Sequence, residues 1–271
     1  MGNERIWYRI DGDGPTLLFA HGYPTSSHDY APVIATLAKR YRCVTFDFLG
    51  FGASSKPRRS YTYALQHEVL AKVVEAAGVE RAVLVVHDYA VTLGQDFLAG
   101  KPQAPFALEG VVFLNGGLDP AQHRARPIQR FLTSRAGAVL GPFLLGRGAA
   151  LRALREVFVR KDRLPEADAW DSIASNGGLR VMPRLLHYIA ERRARREELL
   201  AALAQATRPM AFAWGMDDPV SGAHVLAAIR GFVKDAPICE LRNVGHYPQL
   251  EAPDEVAAFI DQSATAWRIM N

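Results

Sequence analysis

Short apolar runs alternate with amphipathic stretches through residues 1–117, and the same rhythm returns after residue 206. Ile6–Ile10 reads as a strand that ends at the turn Asp11-Gly-Asp-Gly-Pro15. Thr16–Ala20, Arg42–Phe46, Ala82–Val86 and Leu108–Leu114 are apolar runs of strand length. Ala82–Val86 is nearly pure Val and Leu, as suits a strand covered on both faces. Between these runs, His28–Arg40, Tyr63–Ala77 and Val91–Ala99 carry helical spacing, and Gly78 stops the second. After residue 206, Pro209–Trp214 and Ile238–Leu241 read as strands, with Val220–Phe232 and Asp254–Trp267 as helices. Strands alternating with helices predict a mostly parallel sheet flanked by helices.

Residues 118–206 break the rhythm. Pro127–Arg135, Ala149–Val159 and Leu179–Arg193 have helical patterns, and no run there reads clearly as a strand. The expected organisation is a sheet domain made of 1–117 and 207–271, with a helical cap of 118–206 inserted after Leu108–Leu114. The segment is also the basic part of the chain. It holds 16 Lys and Arg against 9 Asp and Glu, so it carries +7 while the rest carries −3. A solvated helical surface accounts for such a bias, with an acidic partner or a membrane surface as the alternative. Nothing resembles a nucleic-acid-binding motif.

Composition narrows the class further. The chain has 271 residues, 49% hydrophobic and 22% charged, which suits a globular domain and argues against disorder. No apolar run reaches the ~18 residues of a membrane span, and the start Met1-Gly-Asn-Glu-Arg5 carries no apolar signal region. Cys43 and Cys239 form no metal or redox motif, which fits a reduced, cytoplasmic setting. No metal cluster or dinucleotide fingerprint is present, so no cofactor is expected.

Ligands of open parallel sheets bind beyond the carboxyl ends of the strands. Those ends carry His21-Gly-Tyr-Pro24, Asp47-Phe-Leu-Gly-Phe-Gly52, His87-Asp-Tyr-Ala-Val91, Asn115-Gly-Gly117, Gly215-Met-Asp-Asp-Pro219 and Gly245-His-Tyr247. Each has an ordinary reading. Asp88 suits a helix N-cap, Asp217 and Asp218 suit a turn before Pro219, and His246 suits a hydrogen-bonded turn. Together they place a carboxylate, an acid and a histidine at one sheet end, in the chain order of α/β-hydrolase triads.

The sequence resembles the α/β-hydrolase family, in its aspartate-nucleophile branch of epoxide hydrolases and haloalkane dehalogenases. His21–Pro24, Asp47–Gly52, Val85–Asp88, Trp214–Pro219 and Gly245-His246 carry the likeness. Asn115–Gly117, Leu185–Ile189 and His246–Glu251 add a closer resemblance to the mesoderm-specific-transcript-like hydrolases. The resemblance implies Asp88 as nucleophile, His246 as base, Asp218 as orienting acid, and an oxyanion hole from the backbone N–H groups of Tyr23 and Tyr89. Ala90 stands where the branch more often has glycine.

A carboxylate is ionised at neutral pH and needs no base to attack a saturated carbon. The resulting alkyl ester is then open to water activated by a histidine. The expected substrate is therefore a small apolar electrophile, with water as co-substrate. An epoxide needs a proton donor for its ring oxygen. Tyr188 is the only tyrosine in 118–206, with His187 or His123 as possible substitutes and Trp170 as a pocket residue. A halide needs N–H donors, and Tyr89 and Tyr23 stand where dehalogenases carry Trp or Asn. Asn115 is the remaining candidate. The expectations are an epoxide hydrolase first, a haloalkane dehalogenase second, and a hydrolase-like ligand-binding protein third.

Overall fold

The computed structural model describes residues 4–233 and 235–267. Its centre is a seven-stranded sheet: β1 Tyr8–Asp11, β2 Thr16–Ala20, β3 Arg42–Phe46, β4 Arg81–Val86, β5 Ala107–Leu114, β6 Met210–Gly215 and β7 Ile238–Leu241. The strand order is β1-β3-β2-β4-β5-β6-β7. Only β1 runs antiparallel, as the edge partner of β3, and every other neighbour pair is parallel.

The inner strands are largely apolar because both of their faces are covered, whereas the edge strand β1 is exposed. Leu18, Val44, Leu84, Val86, Phe113 and Phe212 belong to a core on one face. Leu17, Phe19, Cys43, Val83, Val85 and Val112 belong to a core on the other. Successive residues alternate between the two cores, the period-two signature of a strand. Cys43 and Cys239 are both free thiols.

The differences from the sequence pattern have local causes. The first strand lies two residues later than Ile6, because its register with β3 pairs Tyr8 with Phe46. Asn115 follows β5, and the described residues from there to Met210 contain no strand. The Leu179–Arg193 helix is broken. Pro183 lacks the N–H a continuous helix would use, and the described helices are Met182–Leu185 and Tyr188–Ala194. The Val220–Phe232 helix begins only at Ala223, since the Asp218 carboxylate takes the Val220 N–H and the Ser221 hydroxyl. The Ala149–Val159 helix is Arg147–Arg155, and the residues after it turn toward the sheet end.

The Asp47–Gly52 motif is structural. Asp47 is buried; its Oδ1 accepts from the Ser27 N–H (2.9 Å) and hydroxyl (2.7 Å), and its Oδ2 from the Ala53 N–H (2.8 Å). It ties the loops after β2 and β3 together beneath the site. Asp47→Ala leaves these donors unpaired and is expected to lower stability by roughly 2–4 kcal/mol. Urea unfolding checks this, and a loss under about 0.5 kcal/mol, the level of an ordinary surface change, would contradict it.

Candidate active site

The site forms where β4 turns into the helix Val91–Leu98. Asp88 has φ +43°, in the left-handed region that L-residues with side chains avoid. The turn is possible because the backbone crosses two glycines. A Cβ on Gly22 would stand 2.8 Å from Asp88 Cβ, and one on Gly116 would stand 3.1 Å from Asp88 Cα. The backbone N–H of Asp88 is held by the carbonyl of Asn115 at 2.8 Å. This bend lifts the carboxylate away from the helix start. The cap position falls to His87, which makes no side-chain capping bond. Asp88 Oδ2 instead accepts the Tyr23 N–H at 3.0 Å, and Oδ1 lies 3.6 Å from His246 Nε2.

His246 follows β7 and lies between two carboxylates. Its Nδ1 is 2.7 Å from Asp218 Oδ2. Asp218 is fixed in turn by the Val220 N–H (2.7 Å), the Ser221 hydroxyl (2.7 Å) and the Asn115 amide (3.0 Å). Asp217 points elsewhere and accepts the Asn243 N–H on the surface. Geometry thus selects Asp218 as the partner of the imidazole.

All three groups are buried. Burial works against the Asp88 charge, but the adjacent His246, His87 and the Tyr23 N–H outweigh it and hold the carboxyl down to about 2. Burial likewise works against the imidazolium, and the Asp218 and Asp88 carboxylates raise it to about 10. Asp218 is lowered, burial being outweighed by His246, Ser221 and Val220. The resting site is therefore a protonated imidazole between two carboxylates.

Two further histidines support the loops. Burial, then the neighbouring His246, lowers His87 to about 4, so it is neutral. Its Nε2 lies 2.8 Å from the His246 carbonyl, and its Nδ1 3.2 Å from Gln249 Nε2. Burial also lowers His21. His21 Nε2 accepts the Phe48 N–H at 3.1 Å, which leaves Nδ1 to donate to the Gly22 carbonyl. Glu251 had no role in the sequence analysis beyond closing a motif. It is fully buried. One oxygen accepts the Gly245 N–H at 3.1 Å, and the other the N–H groups of Val159 and Arg160, both at 2.9 Å. The His246 N–H donates to the Val157 carbonyl at 2.9 Å. The loop that carries His246 is thus fastened to the helical segment.

Above Asp88 lies a cavity partly open to solvent. Tyr23, Asp88, His246 and Tyr247 line it from the sheet side, and Leu132 and Leu145 are among the apolar residues lining it from 118–206. That apolar lining suits a small organic ligand.

The remaining expected residues divide. Tyr188 is buried, and its ring packs edge-on to Tyr89 at 5.1 Å and tilted to Tyr23 at 6.3 Å. Burial and the Asp88 charge raise its phenol well above the ordinary value, so it keeps its proton. His123 has a buried Nε2 without a partner among the described residues. Burial, then the Arg192 charge, lowers it to about 4, so it is neutral, and the Asp88 charge also reaches it. Asn115 does not face the cavity. Its amide lies behind the acid, donating to the Gly215 carbonyl (2.8 Å) and to Asp218, so it has no N–H left for a halide. His187 is exposed and lines a separate groove, which His123 also borders. Trp170 packs half-buried against the core instead of lining the cavity. Among the described residues no cluster of side chains is arranged to hold a metal.

The fold agrees with the comparisons. A model of the alpha/beta hydrolase fold family matches residues 15–253. The chain belongs to that family. It is 36% identical over 252 residues to LipZ of Mycobacterium tuberculosis, covering 91% of this chain and 87% of that protein. It is 32% identical over 268 residues to the human mesoderm-specific transcript homolog protein, covering 92% and 79%. The solved structure of haloalkane dehalogenase DbeA from Bradyrhizobium elkani superposes with a TM-score of 0.79 at 24% identity, covering 97% and 96%.

The charge arrangement has a measurable signature. The imidazolium of His246 is expected to persist through neutral pH and to titrate toward 10, and to titrate lower in Asp88→Asn. Because its folded value lies above the unfolded 6.5, the stability it contributes is complete below 6.5 and is lost as pH rises toward 10. NMR titration of the histidine ring signals checks this, and a neutral His246 ring at pH 7 would contradict it.

Proposed function

We propose that this hydrolase-family protein works through a covalent ester on Asp88, and that its reaction opens an epoxide to a vicinal diol. The observation that carries the reading is the placement of the Asp88 carboxylate. It is bare and ionised at the floor of an apolar cavity, with one oxygen on the Tyr23 N–H and the other facing His246. Helices of residues 118–206 act as the cap that closes this cavity.

The two carboxylate oxygens have different tasks. Oδ1, free of backbone donors, attacks the ring carbon. The carbon–oxygen bond of the ring breaks, and its electron pair leaves on the ring oxygen, which takes the Tyr188 proton. Oδ2 becomes the ester carbonyl, already seated on the Tyr23 N–H, with the Tyr89 N–H as the second oxyanion donor. One such donor contributes about 2.7–4 kcal/mol in a comparable hydrolase.

Esterification also releases the base. It removes the Asp88 charge, one of the two that hold the proton on His246, so the imidazole gives that proton to solvent through the open side of the cavity and takes one back when the Asp88 carboxylate is restored. His246 then takes a proton from water as the water oxygen adds to the ester carbonyl. The carbon–Oδ1 bond breaks, and the alkoxide leaves with the proton carried by His246. The restored carboxyl gives up the second water proton, which replaces the one lost by Tyr188. Asp218 keeps the ring oriented and its charge balanced throughout.

Carbon–halogen cleavage would use the same Asp88, Asp218 and His246, and the solved neighbour DbeA bears the name haloalkane dehalogenase. The lining of this cavity, among the described residues, contains no Trp or Asn. That, with the Tyr188 ring packed against Tyr23 and Tyr89, favours the epoxide.

Removing the base separates the two steps. In His246→Ala the ester is expected to form and to persist, with hydrolysis slowed about 10²–10⁴-fold. Intact mass spectrometry after exposure to a panel of small epoxides and haloalkanes reads the adduct. A mass increase equal to the whole epoxide supports ring opening. An increase by the alkyl group alone supports the halide reading. No adduct with a compound that the unmodified protein converts would overturn the ester mechanism.

A further inference from the structure

The helix Arg135–Leu144 runs directly into Leu145, which lines the cavity, and carries exposed apolar side chains near its end. Leu140, Phe143 and Leu144 are 49%, 85% and 64% exposed. Their i, i+3, i+4 spacing puts them on one face of the helix. Large apolar side chains exposed singly are ordinary, but three on one helical face form a patch. Leu145, the next residue, is buried and lines the cavity, as does Leu132 on the neighbouring helix Pro127–Thr133. The exposed ridge is thus the outer surface of the cavity roof.

Its surroundings are basic. Arg130, Arg135 and Arg147 flank the ridge in sequence, are exposed, and make no ion pair with any described residue. They belong to the segment that carries +7. Among the described residues no helix is long and apolar enough to cross a membrane. An apolar helical face with arginines at both ends instead matches the pattern of helices that lie in the plane of a lipid headgroup layer. Phe143 is the most exposed side chain of the ridge and protrudes from it. A soft bilayer accepts such a shape directly, whereas a protein partner would have to supply a matching groove. Arginines with no carboxylate of their own complement anionic headgroups.

We propose that the helix Arg135–Leu144 docks the protein onto anionic lipid surfaces, with Leu140, Phe143 and Leu144 entering the headgroup layer and Arg130, Arg135 and Arg147 contacting its phosphates. Docking sets the cavity roof against the bilayer, where an apolar substrate concentrates. The inference does not depend on the reaction assigned to Asp88.

Vesicle sedimentation of the full chain tests it. One set of vesicles is phosphatidylcholine alone, and the other contains about one third phosphatidylglycerol. The protein is expected to sediment with the anionic vesicles at low salt, to bind neutral vesicles at least about ten-fold more weakly, and to be released in ~0.5 M salt, where screening reaches a few ångströms. Phe143→Glu with Leu144→Glu should reduce binding at least about ten-fold while leaving the circular dichroism and melting temperature unchanged, since both side chains are exposed. Arg130→Gln, Arg135→Gln and Arg147→Gln together should abolish the preference for anionic vesicles while the ridge is intact. Absence of binding at low salt, or equal binding to both vesicles, would overturn the proposal. So would a dimer in light scattering that the Phe143→Glu, Leu144→Glu variant dissolves, because a second copy would then cover the ridge.

Discussion

The tight bend at Asp88 is the constraint on which the rest of the site depends. A residue with a side chain is held at a positive φ, a conformation that costs of order 1–3 kcal/mol. Neighbouring structure holds it there. Gly22 after β2 and Gly116 after β5 leave no room for a Cβ, and the Asn115 carbonyl takes the Asp88 N–H. The central place of β4 in the sheet puts these two strand ends on either side of it. Without the bend, Asp88 would be an ordinary helix cap. With it, the carboxylate meets a backbone N–H and an imidazole that come from distant parts of the chain.

Three buried ionisable groups then have to share one small volume. An isolated buried charge is costly, so each is matched. The imidazolium stands between Asp88 and Asp218, and Asp218 is surrounded by donors from Val220, Ser221 and Asn115. The arrangement is stable only while Asp88 is charged. Any step that neutralises that carboxylate also loosens the proton on His246. The electrostatics that stabilise the resting site therefore order the two halves of the proposed reaction. Glu251 and the Val157 carbonyl extend this coupling, since they join the His246 loop to the segment that roofs the cavity.

The parallel strands were legible because burial on both faces leaves an unbroken apolar run, and Thr16–Ala20 and Arg42–Phe46 agree residue for residue. Asp88, Asp218 and His246 were legible as a constellation, since each follows its own strand. The role of Asn115 was not. Its position after β5 is visible in the chain, but its amide is claimed by residues after β6, and that contact appears only once β5 and β6 are adjacent. Trp170 and His187 were misjudged for a similar reason. Helical spacing gives a face but not what the face meets, and residues 118–206 break into short pieces at Pro183 and around Val157. His123 shows the opposite case: nothing in its sequence context separates it from a surface histidine, and only the unpartnered Nε2 does so.

The origin of the oxygen added to the substrate tests the central claim most directly. A single turnover is run in ¹⁸O-water with the protein in excess over an epoxide that it converts. Attack by Asp88 predicts that the first diol carries only unlabelled oxygen, and that the heavy isotope is found in the peptide containing Asp88. Label in that first diol, with the Asp88 peptide unchanged, would mean that water attacks the carbon itself, and the nucleophilic role of Asp88 would be wrong.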